Sequence, residues 1–129
     1  MTRKMLRAKI HRATVTHADV DYEGSVTIDG ALMEQVDMIP GEAVAIWNVT
    51  NGERLETYTV LGPRDSGVIC VNGAAAQKVR PGDLIIIAAF SWMEEAAARR
   101  YVPKVVFVDE HNRAKLHRDE VPGPQRLSA

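Results

Sequence analysis

The chain has 129 residues, of which 46% are hydrophobic and 26% charged, with a formal net charge of -1. This length and apolar share predict one globular domain with a real core, and the near-neutral balance argues against a nucleic-acid or membrane-surface protein. No apolar run approaches the roughly 20 residues that span a bilayer, the basic start Met1-Thr2-Arg3-Lys4-Met5-Leu6 lacks the apolar stretch of a secretory signal, and the single Cys70 excludes an intrachain disulfide, so a reducing cytoplasm is the expected location.

From Leu6 the apolar residues alternate with Arg7, Lys9 and His11, which predicts a half-buried strand. The phase shifts at Ala13 and Val15, predicting a bend or bulge. A polar stretch over residues 16–25 leads to a short strand containing Val26 and Ile28. Asn51-Gly52 lies between apolar, β-branched runs at 43–49 and 55–61, and predicts a hairpin of the type I′ kind. Residues 84–90 are apolar on both parities and predict a strand buried on both sides. Ser91-Trp92-Met93-Glu94 has the form of a capping box and predicts a helix running through Arg100. Pro103 ends that helix, and residues 105–108 form a last strand. Beyond Asp109 the chain is polar, with Pro122 and Pro124. The expectation is therefore a domain over 1–109 and a mobile tail over 110–129.

The sequence repeats itself. Asp29-Gly30-Ala31-Leu32-Met33-Glu34-Gln35-Val36 matches Asn72-Gly73-Ala74-Ala75-Ala76-Gln77-Lys78-Val79, and Pro40-Gly41-Glu42 matches Pro81-Gly82-Asp83. Strand, short helix, Pro-Gly turn and strand thus occur twice. Two such units closing on each other predict a mainly β fold, a small pseudo-symmetric β-barrel without open edges.

Familiar catalytic signatures are missing. His11, His17, His111 and His117 form no metal-binding spacing, and there is no phosphate-binding glycine loop and no Gly-x-Ser-x-Gly elbow. Cys70 sits in an apolar run and reads as core packing, not as a nucleophile. What remains is polar residues near strand ends: Lys9 and His11 on one strand face, Tyr22-Glu23-Gly24-Ser25 before a strand, Arg54 and Tyr58 on one parity after the Asn-Gly turn, and Asn72-Gly73-Ala74 between a strand and a helix start. Taken singly, each is an ordinary surface charge or turn.

Taken together, they resemble the bacterial aspartate 1-decarboxylases. The resemblance is carried by Met5-Leu6-Arg7-Ala8-Lys9-Ile10-His11-Arg12-Ala13-Thr14-Val15-Thr16, Tyr22-Glu23-Gly24-Ser25, Ile46-Trp47-Asn48-Val49-Thr50-Asn51-Gly52, Val71-Asn72-Gly73-Ala74-Ala75-Ala76 and Pro81-Gly82-Asp83, and it covers roughly residues 1–108. It implies a double-psi β-barrel, a homotetramer with sites between subunits, and decarboxylation of L-aspartate to β-alanine for pantothenate and coenzyme A synthesis. It implies a covalent pyruvoyl group in place of a metal or pyridoxal phosphate. That group would be made by self-cleavage at Gly24-Ser25 into a 1–24 β chain and a 25–129 α chain, and whether a maturation factor takes part stays open.

The same resemblance assigns roles. Ser25 attacks the Gly24 carbonyl, becomes the pyruvoyl and forms the Schiff base with substrate. Gly24 permits a strained backbone there, and Thr57 supports the oxyanion of the cleavage step and binds substrate. Tyr58 donates the proton to the α-carbon, using a phenol of a kind ordinarily protonated near neutral pH. Arg54 grips a substrate carboxylate, Lys9 and His11 add positive potential, and Trp47 and Tyr22 wall the pocket. Asn72, Gly73, Ala74 and Ala75 supply donors at a helix start. Strand parity sets Thr57 opposite Arg54 and Tyr58; a bulge in that strand, or subunits contributing opposite faces to one site, would reconcile the three, and the second is preferred because the resemblance implies sites between subunits.

Overall fold

The computed structural model describes residues 1–117 and 120–123. Alternating stretches become strands and the turn residues end them. In chain order the elements are β1 (Thr2–Thr14), β2 (His17–Asp19), β3 (Ser25–Asp29), α1 (Gly30–Val36), β4 (Ala43–Asn48), β5 (Arg54–Gly62), β6 (Ile69–Asn72), a 3-10 helix (Gly73–Lys78), β7 (Leu84–Glu94), α2 (Glu95–Arg100), β8 (Lys104–Val108) and β9 (Ala114–His117). Among the described residues, no helix is long and apolar enough to cross a membrane.

The duplication is real and interleaved. Both copies run strand, short helix, Pro-Gly turn, strand: β3, α1, β4 and then β6, the 3-10 helix, β7. Among β1 to β7, each ladder joins a strand from before the Asn-Gly turn to one from after it. The two Pro-Gly turns are laced alike. Gly41 N donates to Thr59 O at 2.8 Å and Thr59 N to Glu42 O at 3.0 Å, while Gly82 N donates to Val15 O at 2.7 Å and Val15 N to Asp83 O at 2.9 Å. Neither half can satisfy its backbone without the other, so the repeats fold as one unit.

The nine strands form one sheet in the order β2-β6-β3-β5-β4-β7-β1-β8-β9. No ladder joins β2 to β9, so among the described residues the sheet is not the closed barrel that the repeat suggests. Its inner face carries the core, including Ile10, Val26, Ile46, Val71, Ile85 and Ile87. Asp29, 1% exposed, ties the first copy together. Its Oδ1 accepts from Ala31 N at 2.8 Å, capping α1, and from Asp65 N at 2.9 Å, while Oδ2 accepts from Gly67 N at 2.8 Å.

The bulge expected near Ala13 is present: the β1–β7 register shifts between Ile10 and Ala13, and Arg12 takes the left-handed conformation with φ 62. Other expectations need correction. The hairpin forms, but its ladder closes at Trp47–Arg54, and only Gly52, at φ 81, has positive φ in the turn. The loop is too long for a two-residue type I′ turn, and the Asn48 side chain organises it by accepting from Thr50 N at 2.9 Å. The helix expected from Ser91 begins at Glu95, because pairing with β1 as far as Thr2–Glu94 holds those residues extended. β7 is half-buried at Leu84 and Ile86 and exposed at Phe90, so it is not covered on both sides throughout. The polar stretch after Thr16 contains β2, and the second copy's helix is 3-10.

The fold also continues past Asp109. Ala114–His117 pairs with β8, and Asn112, 1% exposed, donates from Nδ2 to Thr14 O and Gly67 O, both at 2.8 Å. Residues 118–119 and 124–129 of the expected tail lie outside the described residues.

Candidate active site

Register decides which side chains share a face. Val26 pairs with Thr59 in the parallel β3–β5 ladder, and both are buried inward. Ser25 and Thr27 therefore face outward, as do Tyr58 and Val60. In the antiparallel β3–β6 ladder Ser25 pairs with Asn72 and Thr27 with Cys70, which puts all four on that outer face. Ala43 pairs with Tyr58 and Trp47 with Arg54, Ala45 pairs with Ala88, and Ala88 with Lys9. The outer face of one sheet thus carries Ser25, Asn72, Tyr58, Arg54, Trp47 and Lys9. Thr57 stands on the opposite face, as its parity requires.

Ser25 is 2% exposed, although it opens a strand on the outer face. Its hydroxyl donates to Glu23 O at 3.3 Å and accepts from Asn72 Nδ2 at 3.3 Å. The same amide nitrogen donates to Thr27 Oγ1 at 3.4 Å, and the Cys70 thiol donates to Asn72 Oδ1 at 3.1 Å. Burial, then the charge of Asp19, push the Cys70 thiol above its ordinary pKa, so it remains a neutral donor. Cys70 is therefore half-buried and polar in its contacts, and the core-packing reading is corrected: Ile69 and Val71 face the core and Cys70 faces away.

Gly24 does not have positive φ, and a Cβ there would meet nothing within 4 Å. The demanding glycine is Gly73, at φ +68. A Cβ on it would lie 2.5 Å from Gly24 Cα, 2.7 Å from Gly24 N and 3.1 Å from Tyr22 O. The backbone of Tyr22 and Gly24 rests on a surface that only glycine leaves open. The Tyr22 ring is 64% exposed. Asn72 makes no side-chain cap to the 3-10 helix, which is too short for a strong terminal dipole, while Ala74 is exposed and Ala75 half-buried.

The other expected residues lie farther along the face. Arg54 sits four residues before Tyr58, about 13 Å along the strand. Its guanidinium stacks on the Trp47 ring at 4.8 Å, and among the described residues no carboxylate pairs with it. Lys9 lies across three strand spacings from β5, about 14 Å. It is buried, and Nζ lies 3.0 Å from Glu120 Oε2. The His11 ring packs on Phe107 at 5.0 Å. Within one chain, then, the structure joins Ser25 to Asn72 and Arg54 to Trp47, and keeps Lys9 and His11 apart from both pairs. Sequence reasoning missed Thr27 and Cys70, although their parity with Ser25 and Asn72 offered a signal. Among the described residues, no group of three or more His, Cys, Asp and Glu side chains could hold a metal ion.

Ser25 behind Gly24, and Arg54, which pairs with no carboxylate among the described residues, thus share one face of a mainly β sheet. Comparison with known proteins is specific. The family model described as aspartate decarboxylase matches residues 1–115. The aspartate 1-decarboxylase of Myxococcus xanthus (strain DK1622) is 55% identical over 130 residues, covering all of both chains. That of Syntrophotalea carbinolica (strain DSM 2380 / NBRC 103641 / GraBd1) is 55% identical over 127 residues, covering 98% of this chain and 97% of the relative. The chain belongs to the aspartate decarboxylase family.

Proposed function

We propose that this protein decarboxylates L-aspartate to β-alanine and carbon dioxide, using a pyruvoyl group that it makes from Ser25. The observation that carries the reading is the sequestered Ser25 hydroxyl, held between Asn72 Nδ2 and Glu23 O, beside a Gly24 seated on Gly73. In the processing step Ser25 Oγ bonds to the Gly24 carbonyl carbon, the Gly24–Ser25 amide bond breaks, and the hydroxyl proton passes to the nitrogen. Loss of the Ser25 α-proton then breaks the Cβ–Oγ bond of the ester. Gly24 leaves as a carboxylate and dehydroalanine remains. Water replaces the nitrogen, released as ammonia, and leaves the pyruvoyl. The products are a 1–24 β chain and a 25–129 α chain. Thr57, on the face of β5 opposite Tyr58, supports the oxyanion from a neighbouring subunit.

The pyruvoyl carbonyl, once formed, condenses with the substrate amine and accepts the electrons released with carbon dioxide. The chain's own residues bind and orient. Arg54 presents a guanidinium that no carboxylate pairs with among the described residues, braced by Trp47, for two-point contact with a substrate carboxylate. Tyr58, level with Ser25 at the ladder end, donates a proton to the α-carbon. Asn72, Gly73, Ala74 and Ala75 line the substrate side together with Tyr22. Lys9 and His11 serve a neighbouring chain's site, since about 14 Å separates Lys9 from β5 in its own.

A homotetramer supplies that neighbour. The outer face exposes Tyr58, Val60, Phe90 and Trp92, an apolar surface suited to burial between subunits. The matched lacing of both Pro-Gly turns and the interleaved halves support a double-psi barrel arrangement. A cytoplasmic place in pantothenate synthesis accords with the single cysteine.

Intact-mass measurement tests the reading. The expected products are two fragments, the larger carrying a blocked, pyruvoyl-modified position 25. Ser25→Ala is expected to fold, stay whole and lose all aspartate turnover. Turnover by that variant would refute the proposal. Cleavage of the freshly purified chain by itself argues against a maturation factor, and cleavage only after adding cell extract argues for one.

A further inference from the structure

The outer face of the β3–β6 ladder holds a chain of contacts that the reading of Ser25 does not itself require. Cys70 and Asn72 are two residues apart on one strand, so their side chains share a face. The thiol donates to Asn72 Oδ1 at 3.1 Å, and Asn72 Nδ2 donates to Ser25 Oγ at 3.3 Å and Thr27 Oγ1 at 3.4 Å. An asparagine amide has a donor end and an acceptor end of nearly equal size. The Ser25 hydroxyl gives its proton to Glu23 O and so offers Asn72 a lone pair, while a donor at position 70, thiol or hydroxyl, calls for the oxygen end of the amide.

We infer that Cys70 is a positioning residue: by holding Asn72 Oδ1 it turns the amide so that Nδ2 faces the Ser25 hydroxyl. An Nδ2 donor on Ser25 Oγ leaves the serine's own proton to Glu23 O, and it fixes which way the oxygen lone pairs point before attack. The duplicated copy supports this independently. Asp29 occupies the place of Asn72 in the first repeat and caps its helix. Asn72 gives no cap to the helix that follows it, and its side chain is turned to β3 instead. The thiol keeps its proton because burial and nearby Asp19 both disfavour the thiolate.

The inference rests on the proposed processing of Ser25, and the test separates the two. Cleavage at position 24 is followed by intact mass in the wild type, Cys70→Ser and Cys70→Ala, each checked for folding by circular dichroism. Cys70→Ala is expected to cleave about three- to tenfold more slowly, the range that one neutral hydrogen bond supports. Cys70→Ser, which restores a donor, is expected to cleave within about twofold of wild type on the same scale. Wild-type rates in Cys70→Ala, or equal slowing in both variants, would overturn the inference. In an Asn72→Ala background Cys70→Ala should add nothing, and additive slowing also overturns it. The Asn72 side-chain amide signals in NMR spectra of the uncleaved Ser25→Ala chain give a readout free of processing. They should move on adding Cys70→Ala and stay near their places on adding Cys70→Ser, and signals unmoved by Cys70→Ala count against the positioning role. A wild-type chain that never cleaves overturns the reading of Ser25 instead.

Discussion

Replacing Gly73 with alanine perturbs the cleavage site from behind. Two costs follow. At φ +68 an L-residue other than glycine is disfavoured by about 1–2 kcal/mol. The new methyl would also stand 2.5 Å from Gly24 Cα and 2.7 Å from Gly24 N, both backbone atoms. Ordinary carbon contact is about 3.5 Å, so Gly24 must retreat by roughly 1 Å. A displacement of that size between reacting groups costs about 10²-fold in rate. Gly73→Ala is therefore expected to fold and to cleave at Gly24-Ser25 about a hundredfold more slowly than wild type, on that reasoning. The assay is a time course by intact mass from the moment of purification. Gly52→Ala separates strain from collision, since Gly52 has φ +81 but nothing within 4 Å of an added Cβ. It should lose comparable stability and cleave at the wild-type rate. Normal cleavage in Gly73→Ala, or equal slowing in Gly52→Ala, would refute the argument from contact.

Three further outcomes are expected. Arg54→Ala should self-cleave normally yet raise KM for aspartate about ten- to a hundredfold, the loss of a charged two-point contact; an unchanged KM removes Arg54 from the substrate site. Asp29→Ala leaves the amides of Ala31, Asp65 and Gly67 without their acceptors, and should destabilise the chain by about 3–5 kcal/mol in urea unfolding; a loss under about 1 kcal/mol contradicts the role given to that side chain. The Asp109 carboxylate accepts from Arg113 N at 3.0 Å and His111 N at 2.9 Å, which lowers its pKa below the ordinary aspartate value, with backbone Arg113 the larger cause. A depressed carboxyl contributes stability above its unfolded pKa and loses it as pH falls through the folded one. The amide shifts of Arg113 and His111 should thus titrate with a midpoint below about 3.9, and a midpoint at or above that value counts against the two hydrogen bonds.

Local chemistry decided much of what the sequence by itself revealed. Alternation marked β1, an apolar, β-branched run marked β4, Asn51-Gly52 marked a hairpin, and the matched Pro-Gly turns marked a duplication, because each signal rests on a few neighbouring residues. The candidate residues were also legible, since a long ordered run of motifs resembles one family. Pairing across the chain decided the rest. Ser91 to Glu94 spell a helix start but stay extended, because β1 offers them backbone partners that a helix would forgo. Cys70 reads as core in its apolar run, yet the β3–β6 register turns it to the face of Ser25. The need for glycine at 73 comes from a chain segment fifty residues earlier resting against it. Residues far apart in sequence meet only when the ladders set their register, and a one-residue change of register would have sent each of these side chains to the other face.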